Sequence, residues 1–147
     1  MKPEILSASN FLVHLVRLSK QNVSEYRLEK FRESLIEVLR IRYRDHWNPE
    51  KPFKGSGYRC IRIFGKMDPR IKQAADKCGL TAKANLDQIF PSELTMWIDP
   101  GEVSYRIGDD IGIYVLYDYT KKKDPWIPAF QCKKSSSITS GLHPDAQ

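Results

Sequence analysis

The chain has 147 residues, is 41% hydrophobic and carries a formal net charge of +6. That length fits one domain of ordinary size, and that apolar fraction supplies a core, which excludes wholesale disorder. The charge permits contact with RNA, DNA or an acidic protein surface without choosing among them, and three widely spaced cysteines (Cys60, Cys78, Cys132) make no disulfide framework.

The first residues, MKPEILSASNFLVHLVRLSK, interrupt their apolar run with Glu4 and with Ser7, Ser9 and Asn10, so a secretory signal is not expected. No stretch approaches the roughly 20 apolar residues that span a bilayer. A reducing, intracellular compartment is the expectation, with both cytoplasm and nucleus open. Pro3 suits a first helical turn. Ile5, Ala8, Leu12, Leu15 and Val16 then recur at helical spacing. After a break at SKQNVS, Ser24 is a plausible N-cap, and Leu28, Phe31, Leu35, Val38 and Leu39 form the stripe of a second helix. The short connection predicts antiparallel neighbours.

HWNPEKPFKGSG reads as a loop, and YRCIRI alternates like a strand. In that strand Tyr58, Cys60 and Arg62 share one face and Arg59, Ile61 and Ile63 the other; each set holds an arginine, so the core-facing set stays open. Asp68, Pro69 and Gly79 punctuate a third helix as N-cap, first residue and stop, and ANLDQIF reads as a short further helix. Strands are expected at 94–98, 102–107 and 111–117, with a GDD turn joining the last two. From Thr120 a Lys-, Ser- and Pro-rich texture predicts a mostly disordered tail with an apolar patch at Trp126, Ile127 and Phe130. Helices first and antiparallel strands later give an α+β fold with helices on one sheet face.

Chemistry is scarce. His14, His46 and His143 fall into no H-x-x-x-H spacing, and no C-x-x-C pair occurs, so no metal is expected. Cys60 with His46 is conceivable as a nucleophile pair, but Cys60 reads better as a small buried hydrophobe. P-loop, GxGxxG, GxSxG and HExxH patterns are absent, so neither a catalytic site nor a cofactor is expected. The basic run Arg40, Arg42, Arg44, Lys51 and Lys54 reads as a solvated helix end and loop; direct RNA binding rests on charge alone. Within 94–98 the alternation puts Leu94, Met96 and Ile98 on one face and Thr95, Trp97 and then Asp99 on the other. The first set is core. Trp97 is then either part of a second core or the anchor of a partner surface.

HWNPEKPFKGSGYRCIRI (46–63) and FPSELTMWIDPGEVSYRIGDD (90–110) closely resemble the two signature boxes of the BTG/Tob antiproliferative family, and the helical start fits as well. The resemblance covers residues 1–118, leaving 119–147 as tail, and the chain looks like a short BTG-type member. It implies helices packed on a small antiparallel sheet and a non-enzymatic adaptor. Members of that family bind the Caf-type catalytic subunit of the Ccr–Not deadenylase complex, promote mRNA deadenylation and restrain proliferation; they also act as transcriptional co-regulators with nuclear partners. The residues the resemblance assigns to the deadenylase contact are Tyr58, Asp68, Trp97 and Asp99. The chain departs from the family pattern at Phe64-Gly65 and at Gly101. VLYDYTKKKDPWIPAF keeps only the start of a third box, which in short members contacts poly(A)-binding protein.

Overall fold

The computed structural model describes residues 1–109 and 112–121. Helix α1 (Lys2–Leu18) and helix α2 (Glu25–Tyr43) come first. The Ser24 hydroxyl accepts from the Arg27 N–H at 3.2 Å and so caps α2 as its sequence predicts. A helical turn, α3 (Ser56–Arg59), leads into strand β1 (Ile61–Phe64). Helix α4 (Pro69–Lys77) follows Asp68, and Gly79 stops it at φ 79°, where a glycine carries no steric penalty. A 3₁₀ turn (Leu80–Ala82) and helix α5 (Leu86–Ile89), capped by Asn85, complete the crossover. Strands β2 (Glu93–Asp99), β3 (Glu102–Ile107) and β4 (Tyr114–Asp118) close the domain, and a 3₁₀ turn runs over Tyr119–Lys121.

The four strands form one antiparallel sheet in the order β1-β2-β3-β4. Ile61 stands opposite Met96 and Met96 opposite Tyr105, while Ile98 pairs with Val103 and Val103 with Tyr117. All six are buried, so one sheet face is continuous core. Helix α1 lies across β2, β3 and β4 on that face, with the Phe11 ring stacked on Tyr105 at 4.4 Å, and α2 packs against α1 and α4. Ile61 and Ile63 are the inward set of β1, which decides the alternation that sequence left open.

Two expectations need correction. Tyr58 is not on a strand: β1 begins at Ile61, and residues 56–59 turn helically, with the Tyr58 and Arg59 N–H groups donating to the Gly55 carbonyl. The last strand begins at Tyr114 instead of 111. The GDD turn is described only in part, since residues 110 and 111 lie outside the described set, as do the apolar patch at 126–130, Cys132 and His143.

Candidate functional site

The loop between α2 and α3 is a series of tight turns. Lys51 N–H donates to Asn48 O, Lys54 N–H to Lys51 O and Ser56 N–H to Phe53 O. Gly55 has φ 79°, and a Cβ there would stand 3.1 Å from Arg59 Nη1. The positive φ favours glycine, and a Cβ there would also press on the guanidinium.

That guanidinium organises the site. Arg59 is 0% exposed. Its Nε donates to Ile98 O at 2.8 Å, Nη1 to His46 O at 2.7 Å and Lys54 O at 2.8 Å, and Nη2 to Pro52 O at 2.8 Å and Asp99 Oδ1 at 2.9 Å. A guanidinium has five N–H donors in a fixed fork, and here each has an acceptor. The group also lies 5.2 Å from the Trp47 ring centre. One side chain thus ties three carbonyls of the 46–54 loop to the end of β2. Beneath it, the Tyr43 hydroxyl donates to the Arg59 carbonyl, and burial pushes the Tyr43 pKa upward.

The residues singled out from sequence fall into two kinds. Tyr58 is 39% exposed; its ring stacks on His46 at 3.9 Å, and the Arg42 guanidinium lies 4.0 Å from its centre. Trp97 is half-buried on the sheet face turned away from the helices, opposite Ser104. Asp99 and Asp68 are 6% and 1% exposed, with their acceptors directed inward. Asp99 ends β2, pairs across the hairpin with Glu102 and accepts from Arg59. Asp68 caps α4 through the Arg70 N–H at 2.8 Å, accepts from the Arg62 N–H of β1 at 2.7 Å, and forms an ion pair with the Arg70 side chain at 2.7 Å. That hydrogen bond to Asp68 is the main reason the Arg70 pKa is raised. No ring contact joins Tyr58 to Trp97 among the described residues; Tyr58 packs on His46 and Arg42 instead.

Sequence reasoning missed Arg59. The only signal was an arginine at an inward position of an apolar alternation, and the carboxylate that answers it lies 40 residues away. Cys60 and His46 are not brought together. Burial holds the Cys60 thiol above its ordinary pKa, its Sγ faces the Ile61 carbonyl, and His46 stacks on Tyr58. Among the described residues no group of three His, Cys, Asp or Glu side chains is placed to hold a metal ion, and no helix is long and apolar enough to cross a membrane.

A four-stranded antiparallel sheet with helices on one face, and a buried arginine clamp beside exposed Tyr58 and Phe53, define an α+β domain. The model of the BTG family matches residues 1–117. Human Protein BTG2 is 55% identical over 118 residues, spanning 80% of this chain and 73% of that protein, and human Protein Tob1 is 37% identical across the whole chain, which corresponds to 40% of its own length. The BTG/Tob domain of C. elegans FOG-3 has the same fold, with a TM-score of 0.61 at 16% identity over 80% of this chain and 90% of that one. The chain belongs to the BTG family. It is accordingly a non-enzymatic, antiproliferative regulator that works through protein interactions.

Proposed function

We propose that the chain is an adaptor for the Caf-type catalytic subunit of the Ccr–Not deadenylase complex, and that docking this nuclease promotes mRNA deadenylation and so restrains proliferation. The observation that carries the reading is the placement of Trp97, half-buried on the sheet face opposite α1, beside the buried Ser104 and Val115 and near the end of a strand fixed by Arg59. A tryptophan so placed fills an apolar pocket on a partner, and the rigid strand end lowers the entropy lost on docking. Tyr58, exposed on the neighbouring turn, extends the surface. Asp68 and Asp99 serve it from within, by fixing α4 to β1 and the loop to β2. The working compartments are the cytoplasm, where messages are shortened, and the nucleus.

The test is capture of the nuclease subunit by wild type and by Trp97→Ala. Truncating such an anchor lowers affinity about 30- to 1,000-fold. Equal capture by a mutant whose circular dichroism is native sinks the reading. A reporter RNA tethered to the protein is expected to lose its tail; transcription changed with tail length intact would reassign the function to nuclear co-regulation.

A further inference from the structure

Phe53 is 77% exposed, more than any other large apolar side chain among the described residues. A lone apolar group on a surface needs no explanation. The unusual feature is how firmly this one is held. The carbonyls on either side of it, those of Pro52 and Lys54, both accept from Arg59, and its own carbonyl accepts from the Ser56 N–H at 3.1 Å. Pro52 fixes its own φ just before it. The same guanidinium is bonded to Ile98 O and Asp99 Oδ1, the two residues after Trp97. Phe53 therefore stands on a backbone tied directly to the strand that presents Trp97. Lys51 and Lys54 flank it, both exposed, and neither ammonium has a carboxylate partner among the described residues.

We propose that Phe53 is a second apolar anchor of the partner surface. It seats in an apolar pocket with an acidic rim on the same protein that Trp97 engages, and the Arg59–Asp99 clamp sets its position. The inference rests on the adaptor reading above. A protein pocket fits the observations better than a lipid surface. Bilayer attachment draws on a broad apolar face and a polybasic cluster, whereas this segment offers one phenylalanine, two lysines and the opposing charge of Glu50. A single aromatic on a fixed backbone with a charged rim is the pattern of an interface anchor, where preorganisation cuts the cost of ordering. The flanking lysines act at longer range, speeding encounter with an acidic patch in a salt-dependent way.

The experiment measures binding of the full chain to the Caf-type nuclease subunit by calorimetry, with thermal melts of each variant. Phe53→Ala is expected to melt like wild type, since its side chain touches little, and to bind about 10-fold more weakly. Lys51→Glu with Lys54→Glu is expected to slow association and flatten its dependence on salt. Arg59→Lys supplies three donors for five acceptors, so hydrogen exchange at residues 48–58 should speed up. Phe53→Ala on that background should then cost less than on wild type. If wild type does not bind the nuclease, the adaptor reading and this inference fall together. If Trp97→Ala loses binding and Phe53→Ala does not, only this inference falls. It also falls if Phe53→Ala leaves nuclease binding intact but abolishes attachment to phosphatidylserine vesicles, which would assign the side chain to a membrane surface.

Discussion

At the scale of single residues, the pair Arg59 and Asp99 is the most consequential, because it sets a structural role against a binding role for the same carboxylate. A buried charge that loses its partner is costly, about 3–5 kcal/mol, since the remaining charge stays in a poor solvent. Asp99→Ala and Arg59→Met are each expected to lower stability by about that amount in urea titrations. The double substitution should cost much less than the sum, because it leaves neither charge stranded. An Asp99→Ala protein as stable as wild type that still fails to bind its partner would restore a direct contact role to this carboxylate. Alternation along β2 revealed that Asp99 leaves the core-facing set, but not that a second segment covers it. That knowledge needed the position of the 46–54 loop, which local pattern does not encode.

At the scale of elements, two caps were legible and one segment was not. Ser24, Asp68 and Asn85 each precede their helix with a side-chain acceptor on a free N–H; the first two were read as caps from residue type, whereas Asn85 fell inside the segment read as helix. The segment 56–59 could not be read that way. Tyr58 and Arg59 begin the strand-like alternation of YRCIRI, yet Gly55 opens a helical turn and Arg59 folds back beneath the loop. Four residues are too few for a helical period to declare itself. Asp68 shows what a cap does when it also links elements. It joins α4 to β1 through the Arg62 N–H and neutralises the half-buried Arg70. Asp68→Ala removes a cap and leaves a guanidinium short of its partner, for an expected loss of about 2–4 kcal/mol. Asp68→Asn keeps an acceptor for the Arg70 N–H and should lose less. The difference between their urea midpoints measures the ion pair.

At the scale of the whole molecule, the order of helices before strands predicted the α+β architecture, and the sheet order follows the chain. The face on which Trp97 stands was readable from alternation, but that α1 packs on the opposite face of the sheet was not. Global stability should also report on acidity through His14, whose pKa lies below its ordinary value, chiefly because of burial and secondly because of Arg17. The unfolded chain then takes up the proton more readily than the fold. The neutral-histidine advantage is present above about pH 6.5 and declines as pH falls through the lowered folded value. Melting temperatures recorded from pH 7 to pH 5 should drop more for wild type than for His14→Gln; equal slopes would contradict this. One hairpin tip links the start of the chain to its last strand. The Pro100-Gly101 turn, with Gly101 at φ 88°, gives its N–H to Glu4 Oε2 across 97 residues, and its carbonyl accepts from the Tyr119 N–H. During synthesis at about 5–20 residues per second, Glu4 therefore waits on the order of 5–20 s for that partner to be made. Through that interval the apolar stripe of α1 has α2 to lean on but no sheet, which makes the nascent chain, before its last hairpin emerges, the state most in need of a chaperone.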